Sequence, residues 1–227
     1  MPIIRVKRGT ANPTTSTLSY VGEMGFNTTT NELFIRGNSS IIKVGGTGEL
    51  VYSYQGSLYY HTVYHAFDNN YIYEVYILAS TAGTVSDTST SYISYMNSSG
   101  SYLLGSYMSL RYDDDYNTGL TRTSGRAAST FYINDQFSGS KTPTYGITKT
   151  ISFELIPTFQ SNTTTTYTWV AKGKSITSLS DDSSPTIAMA DFVHVIDGNI
   201  ARLYINSGLN LGSPDTLQVS IYRKKRT

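Results

Sequence analysis

Beyond residue 50 almost every segment of this chain alternates β-branched or aromatic residues with polar ones, and clusters of Gly, Asn, Asp, Ser or Pro close each run. The last run is the cleanest, with Leu217, Val219 and Ile221 alternating with Gln218, Ser220 and Tyr222. A two-residue period buries one face of a strand and leaves the other polar or aromatic. No amphipathic helical repeat appears. The spacing predicts strands at Val51–Tyr54, Leu58–Phe67, Tyr71–Leu78, Tyr92–Met96, Tyr102–Tyr112, Ser129–Ile133, Thr148–Pro157, Thr166–Lys172, Ile187–Ile196, Ala201–Asn206 and Thr216–Arg223. The expected class is all-β: a small N-terminal β-hairpin module followed by an antiparallel, jelly-roll-like β-sandwich. Asp197-Gly198-Asn199 between two runs predicts a tight hairpin, and Asp68-Asn69-Asn70 and Asn97–Gly100 predict further turns between antiparallel strands.

The first 44 residues read differently. A short basic strand, Ile4-Arg5-Val6-Lys7-Arg8-Gly9-Thr10, leads through Pro13 to Gly22-Glu23-Met24-Gly25-Phe26, a polar turn over Asn27–Asn31, and Glu32-Leu33-Phe34-Ile35. The run Gly45-Gly46-Thr47-Gly48 has little side-chain bulk and high backbone freedom, as a linker does. The expected organisation is therefore a module over 1–44, a linker over 45–50 and a sandwich over 51–227. A β unit below about 40 to 50 residues without disulfides or metal usually needs association to hold a core.

Arg5, Lys7, Arg8, Gly9 and Thr10, then Gly22, Glu23, Gly25, Phe26, Thr28, Thr30, Asn31, Glu32, Leu33, Phe34 and Ile35, carry a resemblance to the N-terminal module that opens many bacteriophage tail fibres, tropism determinants and prophage hyaluronate lyases. This chain departs from the pattern at Asn27 and at Arg36-Gly37-Asn38, where many members carry acidic residues and Gly-Asp-Gly. The resemblance implies a homotrimeric virion protein attached to its particle through this module. The second unit looks like the trimeric jelly-roll heads of the TNF and C1q type, an analogy of fold alone.

Composition removes several function classes. A net charge of +1 with 15% charged residues lacks the basic face that nucleic-acid binding needs. There is no cysteine, hence neither disulfide framework nor thiolate metal site. No apolar run approaches the roughly 18 to 20 residues that span a bilayer, so no membrane insertion is expected. Met1-Pro2 runs straight into strand pattern, so assembly in a host cytoplasm and exposure on a particle surface are expected. Twenty tyrosines, apolar in body and polar at the tip, suit either sandwich faces or recognition surfaces.

Chemistry is sparse. His61 and His65 would lie roughly 13 Å apart on one strand face, too far to share a metal. His194, between Val193 and Val195, reads as a structural imidazole. Asp113, Asp115 and Asn117 reproduce the first ligand positions of a calcium loop, but Thr118 and Ser124 stand where that loop needs Gly and Glu. Asp181-Asp182 is a weaker acidic pair. Glu74 and Glu154 lie in strand patterns and could face one another as glycosidase carboxylates must. No nucleophile elbow, phosphate loop or dinucleotide fingerprint is present.

The expected function is non-enzymatic, with no cofactor: a homotrimeric capsid decoration protein, its module gripping the shell and its sandwich projecting outward. The alternative is a short tail fibre binding host surface glycan through Tyr59, Tyr60, Tyr107 and Tyr112, and a polysaccharide depolymerase ranks third. The expected partners are further copies of the chain and a major capsid or tail protein. The absence of a stalk of repeats or coiled coil favours decoration. The terminal Arg223-Lys224-Lys225-Arg226 reads as a guard on an edge strand.

Overall fold

A computed structural model describes residues 6–29, 32–44, 48–81, 90–113, 121–135, 146–158, 167–180, 186–209 and 216–226. Every regular element in it is a strand. The chain divides into two compact units, Met1–Glu49 and Leu50–Thr227. Most of the Gly-rich run, Gly45 to Thr47, lies outside the described residues.

The first unit is one sheet in the order β1 (Val6–Gly9), β2 (Met24–Asn27), β3 (Glu32–Arg36), β4 (Ile41–Val44). β1 runs parallel to β2, while β2 with β3 and β3 with β4 pair antiparallel. A parallel neighbour needs a crossover, and residues 10–23 supply it. The chain between strands is folded around Leu18, which is fully buried. Leu18 and Pro13 pack over Gly25, where any Cβ would come within 3.2–3.3 Å of them.

The second unit is sandwich-like. Its large sheet has the order β10 (Thr121–Ala128), β9 (Gly105–Asp113), β14 (Thr186–Asp197), β13 (Thr168–Ser180), β12 (Gly146–Thr158), β7 (Tyr71–Thr81), β16 (Thr216–Lys225), β5 (Glu49–Gly56). Its small sheet has the order β11 (Phe131–Tyr132), β8 (Tyr92–Met96), β15 (Arg202–Asn206), β6 (Tyr60–Tyr64). One core joins them, with Val63, Ile93, Tyr95, Phe131, Leu203 and Ile205 from the small sheet against Tyr73, Val75, Ile77, Phe153, Leu155, Trp169, Phe192, Val219 and Ile221 from the large one. The two-residue period accounts for this, because every second residue of these strands is buried. In the middle of the large sheet Phe153, Gly173 and Phe192 stand in register. The two phenyl rings meet edge to face at 5.9 Å, and a Cβ on Gly173 would lie 2.4 Å from the Cβ of Phe153.

The turns connect the sheets in an unexpected way. Asp197-Gly198-Asn199 joins β14 of the large sheet to β15 of the small one, so the predicted tight hairpin is absent. Gly198 has φ 125° and donates its N–H to the Tyr167 carbonyl at 3.0 Å, which carries the chain out of one sheet and across the sandwich. Asp68-Asn69-Asn70 likewise carries β6 into β7, whereas the turn at Asn97–Gly100 reverses the chain as expected, with Tyr102 bridged antiparallel to Met96 and the Leu103 N–H donating to the Tyr95 carbonyl at 2.8 Å, before the chain crosses to β9. Turn chemistry fixes a local reversal, but the choice of sheet rests on tertiary packing. β10 was not expected at all; its sequence is polar, its neighbour is β9 alone, and a register shift between Gly125 and Ala128 bends it.

A polar brace closes one part of this unit. Asp135 and Lys149 are both fully buried, with Nζ 3.6 Å from Oδ1. Asp135 Oδ1 accepts the Ser91 N–H at 2.9 Å, and Oδ2 accepts the Ser175 hydroxyl at 2.8 Å. The Thr177 hydroxyl donates to the Asp135 carbonyl at 2.9 Å. Four hydrogen-bonded or ion-paired links thus tie the segment after β11 to β12, to β13 and to the residue before β8.

Candidate functional site

Because the strands alternate, the outward residues of the large sheet form rows across it. One row is Tyr112, Met189, Ile176, Thr150, Leu78 and Gln218. The next is Leu110, Asp191, Lys174, Ser152, Tyr76 and Ser220, and the one after it is Met108, Val193, Lys172, Glu154, Glu74 and Tyr222. Tyr76, Leu78, Met108, Tyr112, Ile176, Ile187, Met189 and Val195 on this face are between 36 and 48% exposed. Scattered exposed apolar residues are ordinary, but a contiguous face of them marks an interaction surface.

The charged middle of that face is balanced. Glu74 and Glu154 are direct cross-strand partners, and Lys224 reaches both, at 2.9 and 3.0 Å. The hydrogen bonds that its ammonium donates to Glu74 and Glu154 raise Lys224 above its usual range. Lys174 faces Asp191 at 3.9 Å. A shallow cleft of about 620 Å³ runs between these groups, lined by Glu74, Tyr76, Met108, Lys172, Lys174 and Asp191 among others. The two glutamates therefore do face each other, but with the Lys224 ammonium bridging them.

The small sheet presents a different outer face. From β6 through β15 and β8 to β11 it carries Tyr60, Tyr204, Tyr92 and Tyr132, with successive ring centroids 5.9, 6.0 and 5.8 Å apart. The first three rings lie within 20 and 25° of parallel. Tyr59 adds an edge contact to Tyr60 at 4.9 Å. Asn206 donates its amide to the Tyr92 hydroxyl at 3.2 Å. Burial, with the hydroxyl contact of Tyr92, pushes Tyr204 up to about 12.

The four tyrosines expected to contact glycan are not one group. Tyr59 and Tyr60 sit at one end of the tyrosine row, Tyr112 belongs to the other sheet, and Tyr107 packs on Phe131 and His194 with its ring 6.1 Å from Tyr132. Sequence reasoning missed Tyr92, Tyr132 and Tyr204. Tyr204 between buried Leu203 and Ile205 carried the signal, since the period alone turns it outward.

The histidines are structural neighbours of aromatic rings. His61 stacks on Tyr54 at 3.5 Å and its Nε2 meets the Tyr52 hydroxyl, while His65 packs edgewise on Phe67 and Tyr73. Burial lowers both below the usual histidine range. Among the described residues no group of His, Asp and Glu is arranged to hold a metal ion. Asp115, Asn117, Asp181 and Asp182 lie outside those residues, and Asp113 ends β9.

In the first unit the residues that carry the family resemblance have local work. Lys7 Nζ lies 2.7 Å from Glu23 Oε1 and donates to the Thr17 carbonyl at 2.7 Å. Glu23 Oε2 accepts the Ser19 N–H at 2.7 Å, and the Lys7 hydrogen bond holds the Glu23 carboxyl below the usual range. Gly22 has φ 86°, and its N–H donates to the Arg36 carbonyl at 2.7 Å. Thr28 caps the Gly9 carbonyl through its N–H and hydroxyl, at 2.8 and 3.1 Å. Phe34 is buried, Phe26 and Leu33 are half-buried, and Arg8 and Thr10 are exposed. Arg5, Thr30 and Asn31 lie outside the described residues. No family model, curated protein or solved structure matches the chain.

Proposed function

We propose that this chain is a non-enzymatic structural subunit of a bacteriophage particle, a homotrimer that decorates the capsid through its N-terminal unit. The observation that carries the association is the outer face of the large sheet, where Leu78, Met108, Tyr112, Ile176 and Met189 stand exposed. Burying one such side chain against a second copy contributes about 1.5 to 3 kcal/mol before the costs of ordering and association. The charges on the same face support self-association. Lys172, Lys174 and Lys224 stand among Glu74, Glu154 and Asp191, so like copies meet without a net repulsive field.

The virion assignment rests on the N-terminal resemblance, and the need of so small a sheet for a partner agrees with it. The reading against catalysis rests on Lys224, whose ammonium lies 2.9 and 3.0 Å from Glu74 and Glu154 and so takes the place between the two carboxyls that a glycosidase leaves to its sugar. Native mass measurement tests the association. The expected result is a trimer that Met189→Lys with Ile176→Glu converts to a folded monomer, and a monomeric unsubstituted chain would end the proposal. Antibody labelling of intact particles should mark heads; labelling of tails alone would transfer the chain to the tail-fibre reading.

A further inference from the structure

We propose that the outer face of the small sheet is a platform for a neutral oligosaccharide, centred on Tyr60, Tyr204 and Tyr92 and extended by Tyr59 and Tyr132. The row has one ring from each of four adjacent strands, in the order β6, β15, β8, β11, so it crosses the sheet as a continuous strip. Its ends are open: Tyr59, Tyr60 and Tyr132 are 38, 37 and 41% exposed. Its middle is held. Asn206 fixes the Tyr92 hydroxyl there, and at one end the Ser207 N–H and hydroxyl hold the Tyr59 backbone carbonyl at 2.9 and 3.0 Å. A rigid aromatic strip loses little conformational freedom on binding.

Charge selects the ligand. The outward residues of β6, β15 and β8 are Tyr60, Thr62, Tyr64, Arg202, Tyr204, Asn206, Tyr92, Ser94 and Met96, and Arg202 alone among them is charged. Its guanidinium is occupied, lying over the Tyr64 ring at 5.1 Å and donating to the Ser98 carbonyl at 3.0 Å. Single-stranded nucleic acid also stacks on aromatic rings, but it requires a basic groove beside them. Acidic polysaccharides require the same. A protein copy is better served by the aliphatic face of the large sheet. What remains is a ligand with flat C–H faces for the rings and many hydroxyls for the tyrosine and asparagine groups, and a neutral sugar chain has both.

The full-length protein should be titrated by calorimetry with maltoheptaose, cellohexaose, laminarihexaose, mannohexaose and galactan oligosaccharides, with heparin and hyaluronan as acidic controls. Binding to at least one neutral sugar is expected at millimolar concentration or below, with no binding to the acidic controls. Tyr60→Ala and Tyr132→Ala remove exposed rings, and each should weaken that binding by about tenfold, or about 1.4 kcal/mol. Tyr204→Phe keeps the ring and should weaken it less, while Tyr20→Ala, which removes an exposed ring in the first unit, should leave it unchanged. Failure of every neutral sugar to bind, binding confined to the acidic controls, or binding indifferent to Tyr60→Ala and Tyr132→Ala would each overturn the proposal. Native mass measurement of the same variants separates this from the trimer reading, because neither residue lies on the outer face of the large sheet.

Discussion

His194 makes stability depend on pH in a way that can be calculated. Its ring is fully buried, stacked on Phe192 at 4.8 Å and tilted against Phe131 at 5.1 Å. Nδ1 meets the Tyr95 hydroxyl at 2.9 Å, and Nε2 has no hydrogen-bond partner among the described residues. Burial pushes its pKa down to about 3, so the folded protein holds a neutral imidazole. In the unfolded chain the same group titrates near its ordinary 6.5. Between those values only the unfolded state binds the proton, so stability falls as the pH drops through 6.5 toward 3. At about 1.4 kcal/mol per pH unit, going from pH 7 to pH 4.5 removes about 2 to 3 kcal/mol. That is a large part of the 5 to 15 kcal/mol typical of a domain. Urea unfolding can be followed by Trp169, the only tryptophan and a buried one, at one fixed protein concentration, for the native chain and for His194→Gln. Carboxylates, His61 and His65 contribute alike to both proteins and cancel in the comparison. The native chain should lose about 2 to 3 kcal/mol more than His194→Gln between the two pH values. Equal losses would refute the buried neutral imidazole.

The buried brace and the β10 bulge give two further expectations, read by the same unfolding assay at pH 7. Lys149→Met leaves the fully buried Asp135 carboxylate without its ammonium and should cost about 3 to 5 kcal/mol, whereas Asp135→Asn with Lys149→Met should recover most of that; a double variant as unstable as the single one would contradict the pairing. Ala127 has φ 49° inside the bulge, a conformation costing an L-residue roughly 1 to 2 kcal/mol, so Ala127→Gly should stabilise the chain by about 0.5 to 1 kcal/mol after glycine's own entropy is counted, and destabilisation would be the contrary result.

How much of this was legible in the sequence differs by level. Inside and outside were legible, because Leu217, Val219 and Ile221 are fully buried as their alternation requires. Most strands were found, since β-branched and aromatic runs mark them. β10 was not, because an edge strand with Thr, Arg, Ser and Gly needs no hydrophobic face to be held by β9. The parallel partner of β1 was hidden too, for parallel pairing leaves no turn signature. Individual site residues could be assigned to a face, but their neighbours could not. Tyr60 and Tyr204 stand 5.9 Å apart in space and far apart in the chain. Glu74 and Glu154 can be paired from their strand patterns, but nothing in the sequence places Lys224 between them, because it lies on a third strand.

The turns that defeated the hairpin expectation also explain why the two outer faces differ. Asp68–Asn70 and Asp197–Asn199 carry the chain from one sheet to the other, and the chain crosses again at Leu103–Leu104, after the Asn97–Gly100 turn has folded Tyr102 back onto Met96. Adjacent strands in sequence therefore contribute to opposite outer faces: β6 and β8 to the small sheet, and β7 and β9, which follow them, to the large one. The outward residues of β6, β8 and β15 are dominated by tyrosine, and those of β7, β9 and β14 include Leu78, Met108, Met189 and Val195. Crossing the sandwich between these strands gathers Tyr60, Tyr204 and Tyr92 side by side on the small sheet, while Leu78, Met108, Ile176 and Met189 share the large-sheet face with Tyr76 and Tyr112.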